Sequence, residues 1–224
     1  YPSDYFIAFD FMDKRYLFWS LVWVGFFYNF GLWLDKFMFW FYEPTSQAII
    51  GPLRASLIYD IPVFLAYLSI IPGMAVFLVK METDFVEFYD NFYNAVREGG
   101  SLEYIEEMRN EMVFTVRQGI YQIIKIQGIA ALTVFVEGEI ILNTLHISLL
   151  YLPLLFVNLI SVGLQVVFLG VLNVFFYLDK RRIVFILTGL FVVLNGVFTG
   201  LTLHLGPKFY GYGLAGALLI CIML

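Results

Sequence analysis

Asn29 and Lys36 stand seven residues apart in an apolar stretch, nearly on one line of a helix at about 100° per residue, with Trp33 and Trp40 beside them. Tyr28 and Asp35 repeat that spacing one position earlier. An amide, an ammonium and a carboxylate among indole rings could bind a sugar. The polar groups exchange hydrogen bonds with hydroxyls, and the apolar face of a pyranose stacks on an indole. The same residues could instead anchor a helix end at a membrane boundary, with Lys36 reaching out among Phe37, Phe39, Trp40 and Tyr42. Asp35 and Lys36 are sequence neighbours and need not pair with each other.

Other polar groups recur on helical faces. Asn158, Ser161, Gln165 and Asn173 fall within an arc of about 120°, and Thr188, Asn195, Thr199 and Thr202 within about 60°. Gln118, Gln122 and Lys125 align ahead of Thr133. Uncharged amides and hydroxyls on three helices could line a path for a neutral, hydroxyl-rich substrate. They could equally be bonds between helices, each worth ~0.6 kcal/mol or somewhat more. Gly196 and Gly200 permit close helix approach. Asp60, Glu137 and Glu139 read as solvated ends of their stretches.

Two separated histidines, His146 and His204, and a single cysteine, Cys221, offer no metal site and no disulfide. No phosphate-cradling loop, paired catalytic carboxylates or nucleophile triad is present, so neither catalysis nor a cofactor is expected.

The elements that must position these residues are long and apolar. Six stretches, 17–41, 57–79, 119–136, 152–177, 184–205 and 211–224, fill most of the 224 residues. A helix needs ~20 apolar residues to cross a bilayer core of about 30 Å. The chain is 61% hydrophobic and 14% charged, well under the ~25% charge of soluble domains. The expected fold is therefore an all-α polytopic membrane protein, a six-helix bundle in one domain with lipid as its surroundings. Its net charge of −5 argues against nucleic acid as a partner. The sixth stretch stops in mid-run at Leu224 and the chain opens on Tyr1, which suggests a segment of a longer protein. Pro72-Gly73 should kink the second stretch.

Threading the stretches alternately puts Lys14, Arg15, Lys80, Arg97, Arg109, Arg117, Lys125, Lys180, Arg181 and Arg182 on one side, against Arg54 and Lys208 on the other. The positive-inside rule makes the richer side, and the N-terminus, cytoplasmic. The long connection 81–117 then lies in the cytoplasm. Phe85, Phe88, Tyr89, Phe92, Tyr93 and Val96 recur at helical spacing, Gly99-Gly100 ends that helix, and Ser101 can cap the next with Glu103 in its first turn. A helical hairpin results. It could lie on its own spans or serve, through Phe85, Phe88, Tyr89, Phe92 and Tyr93, as a docking surface for a partner.

Blocks spread along the chain resemble the PelG family of bacterial exopolysaccharide machinery. They are residues 28–37 (YNFGLWLDKF), 64–75 (FLAYLSIIPGMA), 82–85 (ETDF), 95–100 (AVREGG), 163–167 (GLQVV) and 175–182 (FFYLDKRR). The resemblance implies a bacterial inner-membrane protein with the fold of the polysaccharide flippases and MATE-like multidrug exporters, two six-helix lobes around a cavity. The six stretches would be one lobe. It also implies a cytoplasmic glycosyltransferase and companion membrane subunits as partners, and passage of a hexosamine-rich polysaccharide. A simple exporter lobe does not need the 81–117 hairpin. On these grounds the substrate path would include Asn29, Trp33, Asp35, Lys36, Gln118, Gln122, Asn158, Gln165, Asn195 and Thr199. A non-transporting scaffold for the synthase stays open. A drug or ion antiporter of the related superfamily is disfavoured, since it needs a carboxylate deep in a span and Asp35, Asp60 and Glu137 fall near stretch ends.

Overall fold

The computed structural model describes residues 18–224. Lys14, Arg15 and the first residue of the 17–41 stretch lie outside the described residues. Among the described residues eight α-helices follow one another: α1 (Trp19–Phe41), α2 (Leu57–Leu68), α3 (Ile70–Val79), α4 (Phe85–Arg97), α5 (Leu102–Thr144), α6 (Leu152–Tyr177), α7 (Arg181–Leu205) and α8 (Tyr212–Met223). By length and composition α5, α6 and α7 can cross a membrane, and the bent pair formed by α2 with the helix from Ile70 onward is a fourth candidate. The ring-rich α1 carries the charged pair Asp35 and Lys36, and α8 has only 12 residues, ~18 Å of helix.

Contacts fix the relative directions. Gly189 of α7 lies against Phe27 of α1, Gly196 against Leu34 and Gly200 against Met38, so α1 and α7 run the same way. Gly73 of α3 meets Gln127 of α5 and Met81 meets Gly119, an antiparallel pairing. Gly138 of α5 meets Leu152 and Phe156 of α6, while Gly170 of α6 meets Ile123, again antiparallel. Gly213 and Gly216 of α8 pack on Thr199 and Phe198 of α7, and Cys221 reaches Leu187, so these too run opposite ways. Successive long elements thus alternate in direction. The helix α6 is central: Leu155 and Leu159 pack with Leu65 and Leu142, while Phe168 and Leu172 pack with Phe191 and Leu218. The outer faces stay apolar, with Phe26, Phe64, Ile71, Val136 and Ile186 all exposed. Such a surface suits lipid and not water.

The bend in the second stretch is 43°, and it falls at Ser69 rather than at Pro72-Gly73. Proline disturbs the turn before itself. Pro72 has no N–H for the Leu68 carbonyl and its ring crowds that carbonyl, so the helix breaks there. Ser69 Oγ donates to the Ala66 carbonyl at 2.7 Å, and Gln127 Nε2 of α5 donates to the Ser69 carbonyl at 3.2 Å.

The 81–117 connection is helical throughout its first arm, because a π-helical turn, Lys80–Asp84, carries α3 into α4 without a gap. Lys80 and Asp84 pair at 2.6 Å across it. Gly99 takes a left-handed conformation (φ 72°), Gly100 N–H returns to the Ala95 carbonyl at 2.9 Å, and Ser101 Oγ accepts from Tyr104 N–H at 3.3 Å. The hairpin turn is built as its sequence indicates. Its second arm and the 119–136 stretch are one unbroken helix of 43 residues, ~65 Å long. Glu137 and Glu139 therefore sit within α5 and not at its end.

One departure from an all-helical chain is a small antiparallel hairpin, β1 (Gln47–Ile50) with β2 (Leu53–Ala55), turning at Gly51 (φ 56°). It closes the α1–α2 connection. Thr45 Oγ1 donates to the Phe39 carbonyl at 3.0 Å, Ser46 Oγ caps the Trp40 carbonyl, and Arg54 Nε holds Ser46 Oγ at 2.5 Å. Carbonyls left open at the end of α1 are thereby satisfied.

Candidate functional site

Trp33, Lys36 and Trp40 lie at i, i+3 and i+7 on α1, and Asp60, Phe64 and Tyr67 at i, i+4 and i+7 on α2. With Gln165 of α6 these residues line a cavity of about 560 Å³ between the three helices. A volume of that order accommodates a small ligand or one or two sugar rings.

Its wall is held by a chain of polar contacts. Asp35 is fully buried and Lys36 is 8% exposed. Although adjacent in sequence they do pair: the flexible lysine curls back so that Nζ lies 3.1 Å from Asp35 Oδ2 and donates to the Leu32 carbonyl at 2.8 Å. Tyr59, stacked on Phe39 at 3.8 Å, donates its hydroxyl to Asp35 Oδ2 at 2.5 Å. Lys36 Nζ sits 5.5 Å from the centre of the Tyr67 ring, and Tyr67 donates to Gln165 Oε1 at 2.7 Å. Across the cavity Trp40 Nε1 donates to both Asp60 oxygens, at 3.0 and 2.9 Å, and Ser56 N–H donates to Oδ2 at 3.0 Å.

The electrostatics follow. The Asp35–Lys36 pair is internally neutral, and Tyr59 supplies the further hydrogen bond that a buried carboxylate requires. Asp60 has two donors but no cation among the described residues, so the cavity carries one net negative charge. Indole and phenol rings give flat apolar walls, while Asp60 and Gln165 give hydrogen-bonding capacity. That combination matches a polyhydroxylated ring better than an anion.

The residues expected to form a path are only partly brought together. Trp33, Lys36 and Gln165 share this cavity, and Asp35 supports it from behind. Asn29 lies on the adjoining face, its amide returned to the Gly25 carbonyl at 2.8 Å, in a shallow groove that Trp33 also borders. Gln118 and Gln122 line a separate concavity on α5. Asn195 Nδ2 donates to the Gly31 carbonyl of α1 at 2.8 Å, a buried contact between helices, and its Oδ1 accepts from Thr199, one turn further along α7, at 2.9 Å. Asn158 is buried beside Gly211, with no hydrogen-bond partner among the described residues. In the hairpin, Phe85 is buried against Tyr177 of α6, while Phe88, Tyr89, Phe92 and Tyr93 are half-buried. Burial and the neighbouring Tyr93 and Asp90 raise the Tyr89 phenol above its usual pKa.

Sequence reasoning passed over Tyr59 and Tyr67 and treated Asp60 as a helix end. The signal was present: Asp60 and Tyr67 repeat on α2 the seven-residue interval of Trp33 and Trp40 on α1.

Fold and site together define a multi-helical membrane protein with a ring-lined cavity among its helices. The chain matches the PelG family model, described as "Putative exopolysaccharide Exporter (EPS-E)", over residues 1–224, and it belongs to that family. Comparison with curated proteins and with solved structures gives no match.

Proposed function

We propose that this chain is a translocation subunit through which an exopolysaccharide leaves the bacterial cytoplasm across the inner membrane. Membership of the exporter family supports a role in exopolysaccharide export. The observation that favours transport over assembly is the cavity of Trp33, Lys36, Trp40, Asp60, Tyr67 and Gln165, whose flat rings and hydrogen-bonding groups suit a sugar. In this reading α1, the α2–α3 pair, α5, α6, α7 and α8 are six spans forming one lobe of a twelve-helix, MATE-like exporter. Their alternating directions support the count. The crowding of basic residues at the hairpin end supports a cytoplasmic N-terminus and hairpin. A glycosyltransferase and companion membrane subunits would deliver a hexosamine-rich polymer to that side.

A scaffold reading has its own support. At ~65 Å, α5 is about twice the thickness of the bilayer core, so the hairpin stands well clear of the membrane. Its half-buried Phe88, Tyr89, Phe92 and Tyr93 could receive a synthase subunit.

Polymer secretion by cells carrying Trp33→Leu or Gln165→Leu, measured beside protein level, separates the two. Translocation predicts lost secretion at normal protein level and intact co-purification of partners. Normal secretion by both variants removes the cavity from the pathway.

A further inference from the structure

The outward stripe of α5 carries chemistry that the translocation reading does not use. Phe114, Arg117, Gln118, Tyr121, Gln122 and Lys125 fall at i, i+3, i+4, i+7, i+8 and i+11, one face of the helix, and line a concavity of about 650 Å³. Phe114 and Tyr121 are 56% and 66% exposed. Neither Arg117 nor Lys125 has a carboxylate partner among the described residues. Glu111, the nearest acid along the helix, is six residues before Arg117. The stripe is therefore doubly positive, with two amides as further donors.

Its depth is fixed by its neighbours. Gly119 packs against Lys80 and Met81, the point where α3 passes into the ion-paired turn at the base of the hairpin. Arg117 and Gln118 thus lie where the apolar bundle meets its polar connections. Lys125 lies about 12 Å further along the helix from Arg117. A lysine at that depth extends its ammonium along an aliphatic stem back toward the polar boundary and toward Arg117. Exposed rings at the same level favour the headgroup zone.

We propose that this stripe binds the headgroup of an anionic phospholipid in the leaflet on the hairpin side. The Arg117 guanidinium grips phosphate oxygens with its planar pair of N–H groups, and Lys125 supplies a second positive charge. Gln118 and Gln122 donate to phosphate or glycerol oxygens, and Phe114 and Tyr121 flank the headgroup. These two cations favour an anionic headgroup over a zwitterionic one. A lipid held here braces α5 at the root of the hairpin. The site stands on a helix that does not line the cavity, so it holds or fails independently of the translocation reading.

Native mass spectrometry of the full-length protein with added dioleoyl phosphatidylglycerol or dioleoyl phosphatidylcholine tests this. Phosphatidylglycerol adducts should form at lower lipid concentration. Arg117→Gln with Lys125→Gln should weaken them by about tenfold or more, with the unfolding temperature unchanged because both side chains are exposed. Arg54→Gln with Lys208→Gln, at the opposite end of the bundle, should leave them intact. Equal binding of both lipids, or undiminished phosphatidylglycerol binding by the double variant, overturns the proposal. Full displacement by millimolar inorganic phosphate would make this a free-anion site and overturn it too. So would crosslinking of a photoreactive residue at Tyr121 to another subunit in place of lipid.

Discussion

Tyr59 donates its hydroxyl to the fully buried carboxylate of Asp35 at 2.5 Å, bridging α2 to α1 across 24 residues of sequence. Lys36 holds the same carboxylate from the other side. The inner wall of the cavity is thus a closed polar unit rather than a loose pair of charges.

Removing the charged pair together should therefore cost less than the sum of removing its members singly. Tyr59→Phe is expected to cost about 1–3 kcal/mol, the penalty for a lost bond to a buried acceptor. Asp35→Asn and Lys36→Met should each be more severe, since each strands a buried charge, while the double variant should recover part of the loss. Thermal unfolding in detergent measures all four, and a double variant as unstable as the sum of the singles would contradict the coupling.

Gly213 and Gly216 invite a contrast. A Cβ at Gly213 would fall 2.6 Å from the Thr199 backbone nitrogen and 2.7 Å from its Cα, whereas one at Gly216 would meet only the Phe198 ring at 3.3 Å. Backbone cannot swing away as a ring can. Gly213→Ala should lower stability by about 1–3 kcal/mol or more and Gly216→Ala by clearly less. Comparable unfolding temperatures for the two would show that α7 and α8 are not in backbone contact.

Asn195 gives a different outcome from Gln165. Its amide donates to the Gly31 carbonyl across the α1–α7 contact, and its oxygen accepts from Thr199 within α7. Asn195→Leu is expected to cost about 0.6–1.7 kcal/mol, the range for bonds between membrane helices, and to leave secretion normal once protein level is matched. A secretion defect at full protein level would return Asn195 to the path.

Glu82 joins the base of the hairpin to the end of α6, accepting from Asn173 and from Tyr177, the latter at 3.2 Å. Glu82→Ala should speed amide hydrogen exchange in α4 and leave α7 unaltered. Exchange unchanged in α4 would mean that Phe85 and Tyr89 on Tyr177 hold the hairpin alone.

The apolar stretches announced most of the helices, because lipid leaves little freedom in how an apolar run can satisfy its backbone. The hairpin turn was equally legible, since Gly99 and Ser101 each do locally what their residue types permit. What escaped was set by tertiary contact. The adjacent Asp35 and Lys36 diverge by about 100° around a helix, and nothing local says that the lysine will fold back. Tyr59 gains its role only from α1. The β1–β2 hairpin was passed over although Ile50-Gly51-Pro52-Leu53 is a turn signal between short apolar runs. Pro72 was recognised as a breaker, but its effect falls one turn earlier, as its missing N–H requires.

The two routes through the bundle differ mechanically. The path from α2 to α3 has a joint at Ser69, but α5 has none over 43 residues. A tilt of about 10° about its middle would sweep each end of such a rod by roughly 5–6 Å in opposite directions. Displacement of the Leu102 end of so long a rod would carry through to Thr144, and the Gln127 bond to the Ser69 carbonyl couples the joint of its neighbour to the same rod.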